Sequence, residues 1–184
     1  MSNTILVLGG TGKTGKRVVE RLEQRNIPVR IGSRNASPSF DWNNPSDWDA
    51  VLKGIQKVYI TYHPDLAVPG AADAITAFVK AAKKSNVQKL VLLSGRGEKE
   101  AQDCEDIVIG SGLDWTIVRA NWFMQNFSEG FFVDSIMAGE LVLPDVNAQD
   151  PFVDVDDIAD VVAAALTDVN HSKKIYELTG PELI

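Results

Sequence analysis

The chain has 184 residues, 45% hydrophobic and 23% charged, a balance that fits one globular domain with a sizeable core. Its formal net charge of −7, with no basic run or stripe, excludes a direct grip on nucleic acid or on an anionic membrane surface. Cys104 is the sole cysteine and His63 and His171 the only histidines, so an internal disulfide is excluded and no metal site is expected. With no apolar stretch near the ~20 residues of a membrane span and no export signal, we expect a reducing, cytoplasmic home.

Thr4-Ile5-Leu6-Val7-Leu8 reads as a strand, and Val18, Val19 and Leu22 recur at helical spacing soon after. Between them lies Gly9-Gly10-Thr11-Gly12-Lys13-Thr14-Gly15. Glycines at a strand-to-helix turn let the backbone approach a pyrophosphate, whose charge is met by free N–H groups and the positive end of the helix dipole. Both Gly10-x-Gly12-x-x-Gly15 and Gly9-x-x-Gly12-x-x-Gly15 are dinucleotide spacings. Gly12-Lys13-Thr14 invites comparison with a P-loop, but that motif needs a glycine where Val7 stands. A glycine turn that merely connects strand to helix is the plain alternative.

Further strands are expected at Val29 to Ser33, Phe40 to Trp42, Val58 to Thr61, Leu90 to Ser94, Trp115 to Val118 and Ile175 to Leu178. Between the fourth and fifth strands Ala71, Ala74, Ile75, Phe78, Val79 and Ala82 form one helical stripe, started by Pro69-Gly70. Ile158, Val161, Val162, Ala165 and Leu166 form another. The carboxylates Asp154, Asp156 and Asp157 ahead of it suit a helix cap better than a cation site, because a calcium loop's glycine and distal glutamate are missing. Regular alternation of strand and helix predicts an α/β fold: a doubly wound, mainly parallel Rossmann sheet, strand order 3-2-1-4-5-6-7, with helices on both faces, in a single domain over residues 1–184.

In such a fold the second strand ends beside the adenosine ribose, where an acidic residue would bind the 2′-hydroxyl of NAD. Here Gly32-Ser33-Arg34-Asn35 stands there, with no carboxylate before Asp41. Arg34 suits a 2′-phosphate, which favours NADP(H) over NAD(H); a solvated surface arginine is the bland alternative.

The glycine loop, the Arg-ended second strand, Phe40-Asp41-Trp42, Lys89-Leu90-Val91-Leu92-Leu93-Ser94-Gly95, and Trp115-Thr116-Ile117-Val118-Arg119 followed by Asn121-Trp122-Phe123-Met124-Gln125-Asn126-Phe127 together resemble the NmrA-like atypical short-chain dehydrogenases. Within that group the chain is most similar to bacterial relatives of the fungal ergot-alkaloid reductases. The resemblance implies that the loop from Thr11 through Gly12 and Lys13 to Thr14 holds the diphosphate and that Ser33 with Arg34 holds the 2′-phosphate. Asp41 and Trp42 would line the adenine, Thr61, Tyr62 and His63 would border the ribose and nicotinamide, and Ser94 and Gly95 would stand at the end of the fifth strand. Asn121 to Met124 would form the far lip of the nicotinamide pocket; read without the resemblance, Trp122, Phe123 and Phe127 are core aromatics.

Two departures bear on chemistry. The Tyr-x-x-x-Lys pair of classical short-chain dehydrogenases is missing: Tyr59, Tyr62 and Tyr176 are followed four positions on by His63, Leu66 and Gly180. Relatives also continue past the Tyr176 to Pro181 segment with helices that cover the substrate side, whereas this chain stops at Ile184, so an open cleft, or one completed by another subunit, is expected. The leading expectation is an NADPH-dependent reductase of a small conjugated or iminium-like molecule. The alternative is a non-catalytic NADP(H)-sensing module that binds a partner protein. Tyr62 and His63 are candidate proton donors by position.

Overall fold

The structure, a computed structural model, describes residues 3–130, 132–142 and 149–184. The strands are β1 (Ile5–Leu8), β2 (Val29–Gly32), β3 (Lys57–Ile60), β4 (Lys89–Gly95), β5 (Asp114–Ala120) and β6 (Lys174–Leu178). They form one sheet in the order β2-β1-β3-β4-β5-β6, every pair parallel. The helices are α1 (Lys13–Gln24), α2 (Trp48–Leu52), α3 (Ala71–Lys84), α4 (Lys99–Ile109), α5 (Val133–Met137) and α6 (Val155–Thr167).

The near-continuous apolar run of β1 follows from burial on both faces, as a parallel sheet requires. Ile5 and Val7 pack with Val18 and Leu22 of α1 and with Ile158 and Val162 of α6. Leu6 and Leu8 point the other way, among Val51, Ile75, Phe78 and Val108 of α2, α3 and α4. The doubly wound α/β reading is therefore borne out. Pro69-Gly70 does start a helix, Gly70 serving as N-cap of α3 with φ 90°. Asp154 caps α6 by accepting from the Asp156 N–H at 2.8 Å, while the Asp156 carboxylate reaches Arg17 at 2.9 Å and Arg21 at 2.6 Å.

The third expected strand is a correction. Phe40, Asp41 and Trp42 lie in a loop, and among the described residues the sheet has six strands. After β2 the chain folds back, so that the Phe40 N–H donates to the Ser33 carbonyl at 2.9 Å and the Asp41 carbonyl accepts from the Trp48 indole at 2.9 Å. These groups are thereby spent on a turn and a side chain, not on a ladder. The alternating aromatics serve a ring cluster instead: Phe40 meets Trp42 at 5.0 Å, Trp48 at 5.8 Å and Phe78 at 5.8 Å between centroids. With that strand removed, the remaining order is the expected one.

Strand order reverses between β1 and β3, and open α/β sheets bind ligands at such a switch point, outside the carboxyl ends of their strands. The register Leu8↔Gly32, Ser94↔Arg119 and Gly95↔Ala120 brings Gly9, Ser33, Ser94 and Asn121 to one edge of the sheet.

Candidate functional site

Gly9 leaves β1 with φ 62°, and its N–H donates to the Gly32 carbonyl at 2.9 Å; a Cβ there would overlap the Thr61 hydroxyl. The Gly12 N–H closes the turn on the Gly9 carbonyl at 2.8 Å. Helix α1 then begins with no side-chain cap and no acidic residue in its first turn, so its leading N–H groups remain open beside the cleft. The Lys13 ammonium has no hydrogen bond or ion pair among the described residues. Gly15 faces no cavity: a Cβ on it would overlap the Gly9 carbonyl oxygen and stand 2.7 Å from its carbon. Its role is to let α1 approach the loop. Beneath, the wholly buried Tyr59 phenol donates to the Thr14 hydroxyl at 3.1 Å, and burial pushes its pKa above the usual tyrosine range. Tyr59 thus props the loop.

The cleft has two adjoining parts. One, of about 750 Å³, is lined by Gly9, Thr11, Gly12, Lys13 and Thr14, by Ser33 and Arg34 beyond β2, and by Asp41 and Trp42. The other, of about 640 Å³, is lined by Ser94 and Gly95, Glu98, Asn121, Trp122 and Asp150. Lys13, Thr61, Tyr62, His63, Leu93 and Phe123 border both. Of the residues expected to touch the cofactor, all but Gly15 therefore line this cleft; of the expected far lip, Asn121, Trp122 and Phe123 line it and Met124 does not. Trp122 is a wall and not core: it is 48% exposed and stacks on Phe132 at 6.0 Å.

Three features were not singled out in the sequence. The Ser94 hydroxyl donates to Glu105 at 2.6 Å, so toward the cleft it offers only lone pairs. Glu105, whose side chain is 1% exposed, is gripped by Arg119 through 2.7 and 2.9 Å contacts, and hydrogen bonding to Glu105 raises the Arg119 pKa further. The one visible signal was a charged residue inside the apolar run of β5. Asn121 donates through Nδ2 to Asp150 at 3.1 Å, leaving its buried Oδ1 without a partner among the described residues. Glu129 closes over α1, bonded to Lys16 and Arg17 at 2.7 Å each, and the Arg17 and Lys16 hydrogen bonds draw its pKa down to about 2.

A glycine cradle, an uncapped helix start and a cleft along the strand ends together describe a dinucleotide site. A family model described as NAD(P)H-binding matches residues 9–169. The chain belongs to this NAD(P)H-binding family. The NmrA-like resemblance and its link to ergot-alkaloid enzymes are borne out by sequence relatives. Agroclavine dehydrogenase of Claviceps purpurea is 31% identical over 204 residues, spanning 98% of this chain and 69% of that protein. NAD(P)H azoreductase of Xenophilus azovorans is 29% identical over 205 residues, with the same coverages of 98% and 69%. The fold of an NADPH-dependent quinone oxidoreductase from Escherichia coli, solved with NADPH, superposes with a TM-score of 0.77 at 20% identity, covering 97% of this chain and 70% of that one. The chain spans 65% and 69% of the length of the two curated relatives that it matches first. Among the described residues no helix is long and apolar enough to cross a membrane.

Cation and N–H donors gather at the loop half, and the acceptor Oδ1 of Asn121 waits at the other.

Proposed function

We propose that the chain binds NADP(H), in preference to NAD(H), and serves as the cofactor domain of a reductase acting on a small conjugated organic acceptor. The observation that carries this reading is the continuity of the cleft, from Arg34 and the glycine loop to the Asn121 and Trp122 wall, through the shared residues Thr61 and Tyr62.

The residues divide the work. Thr11 to Thr14 and the α1 N-terminus would receive the diphosphate, with Lys13 supplying an uncommitted positive charge. Ser33 and Arg34 would hold the 2′-phosphate; the Arg34 guanidinium has no ion pair among the described residues, and no carboxylate follows β2 closely. Trp42, fixed by its indole N–H on the Thr61 carbonyl at 3.2 Å, would flank the adenine with Asp41. Asn121 Oδ1 would accept from the carboxamide N–H of the nicotinamide. When bound, the reduced cofactor supplies a hydride from its C4. Tyr62, His63 and Trp122 would then orient the acceptor, and Trp122 and Phe123 would exclude water from it. The azoreductase and the quinone oxidoreductase, by their names, act on conjugated acceptors, which supports the substrate class.

Isothermal titration with NADP⁺, NADPH, NAD⁺ and NADH tests the cofactor. The phosphorylated pair should bind tighter, and equal affinity overturns the 2′-phosphate assignment. Loss of NADPH absorbance against quinone, azo and iminium acceptors tests turnover. Tight binding without oxidation by any acceptor overturns the reductase reading.

A further inference from the structure

We propose that Glu98 is the proton donor of the acceptor half of the cleft, delivering a proton to the substrate atom that gains negative charge as hydride arrives. This rests on the reductase reading above. Among the described residues five carboxylates line the cleft, and four of them are engaged: Asp41 accepts from the Asn43 N–H at 2.9 Å, Asp65 from the Ala67 N–H at 2.8 Å, Asp150 from Asn121 at 3.1 Å, and Glu129 from Lys16 at 2.7 Å. Glu98 alone has neither hydrogen-bond donor nor cation among the described residues. It stands at the N-cap position of α4, yet its side chain makes no cap. Its carboxyl instead lies over the bare face of Gly95: a Cβ built there would fall 2.6 Å from Cδ and 3.1 Å from Oε1 of Glu98. A glycine at the end of β4 thus leaves room for the carboxyl of the residue three positions on, and that carboxyl lines the part of the cleft that Asn121 and Trp122 border.

The surrounding charges favour the acid form. Asp65 faces Glu98 from the loop after β3, and Glu100 lies in the first turn of α4; burial first, then these two carboxylates, raises the Glu98 pKa. Nearby cations are spent elsewhere, Lys99 on Asp103 and Arg96 on Glu177 at 3.2 Å. Tyr62, His63, Lys13 and Asp150 are the remaining charged or titratable groups of this half among the described residues. Most other hydroxyl donors are committed, Tyr59 to Thr14, Ser94 to Glu105 and Thr61 to the Leu8 carbonyl, while Tyr176 bonds His171 at 2.7 Å and does not line the cleft; the Tyr62 hydroxyl has no partner among the described residues and is the rival donor that the test separates.

The step balances with a quinone as oxidant and NADPH as reductant. The quinone takes the hydride and both its electrons as the C4–H bond breaks, and becomes a hydroquinone anion. The Glu98 O–H bond then breaks as a new O–H bond forms on that oxygen, leaving hydroquinone, NADP⁺ and the Glu98 carboxylate, which takes its next proton from water. An iminium acceptor needs no proton, because hydride alone turns it into a neutral amine. That difference supplies the test.

With saturating NADPH, wild type and Glu98→Gln are compared on a para-benzoquinone and on an N-methyl-dihydroisoquinolinium ion. Glu98→Gln should lower quinone kcat about 100-fold or more. It should leave the iminium rate and the NADPH Kd within about threefold, since the site otherwise stands. Wild-type quinone kcat should fall as pH rises through the Glu98 titration, and that limb should vanish in Glu98→Gln. Glu98→Asp should restore part of the rate, while Tyr62→Phe and His63→Asn keep the limb. An unchanged quinone rate in Glu98→Gln, or equal losses on both acceptors, overturns the assignment, as does transfer of the limb's loss to Tyr62→Phe or His63→Asn. If wild type binds NADPH but consumes none with either acceptor, the reductase reading itself falls and Glu98 falls with it.

Discussion

The two halves of the cleft are built on opposite principles. The loop half offers positive charge and backbone donors, from Lys13, Lys16, Arg34 and the uncapped start of α1, and its glycine-loop donors stand within a few positions of one another in the chain. The acceptor half offers carboxylates and bare lone pairs, from Asp65, Glu98, Asp150, Ser94 and Asn121, and assembles them from three strand ends and a distant loop. One half is shaped by steric necessity and the other by a buried charge network. The lesson is that shape near the glycines tolerates no side chain, while the other half tolerates new side chains only if the charges beneath remain balanced.

The strongest way to break that contrast is to unbalance the network. Arg119→Ala leaves the Glu105 carboxylate, 1% exposed, without its cation, and an uncompensated buried charge costs about 3–5 kcal/mol. Urea denaturation should show that loss, and Arg119→Ala combined with Glu105→Gln should recover much of it. The Arg119 contact with Glu177 at 3.0 Å is more exposed and should contribute little, so Glu177→Gln is the control. A stable Arg119→Ala protein would show that the buried Glu105 carboxyl does not depend on Arg119.

The complementary experiment strikes the steric half. Gly15→Ala places a methyl against the Gly9 carbonyl, a backbone group that cannot rotate away. Overpacking of this kind costs about 1–3 kcal/mol, and because relief must come from moving the loop, dinucleotide affinity should be lost along with it. Thermal unfolding and titration with NADPH measure both. A Gly15→Ala protein that binds normally would remove Gly15 from the argument.

These two variants also mark what was legible in the sequence. Gly9 to Gly15 could be read because a phosphate cradle is local: its glycines, its strand and its helix lie within one short window. The place of Arg34 at the cleft was legible for a related reason, as strand ends fall where periodicity stops. Phe40 and Trp42 were misread because alternation of aromatics is the same signal whether the partner is a sheet or a ring cluster, and only tertiary packing against Trp48 and Phe78 decides. Glu98 and Asp150 carried no local pattern at all, and Asn121 was expected only from the family resemblance, as part of the far lip. They meet because β3, β4 and β5 end together, a consequence of register that spacing along the chain does not contain.

A smaller effect sharpens the charge side of the contrast. Arg34→Ala should weaken NADPH about 10- to 100-fold, the range of charge-assisted hydrogen bonds to a phosphate, and leave NADH unchanged. Equal weakening of both would mean that Arg34 serves the adenosine and not its 2′-phosphate, and the loop half would lose its most distal cation.

The smallest expected effect lies where the halves touch. Glu129 follows the Trp122 to Asn126 segment, yet bonds Lys16 and Arg17 of α1, so it ties the wall of one half to the helix of the other. Its pKa of about 2 lies below the unfolded value of 4.5, because Arg17 and Lys16 hydrogen-bond its charged form. A depressed carboxylate contributes stability that is complete above the unfolded pKa and disappears as pH falls through the folded one. The stability difference between wild type and Glu129→Gln should therefore hold constant from neutral pH down to about 5, then shrink steadily toward pH 2. Because the Lys16 pair is solvent-exposed, added salt should reduce the difference at every pH. A difference that instead grows on acidification would mean that Glu129 is held by packing, and the two halves would be joined by something other than charge.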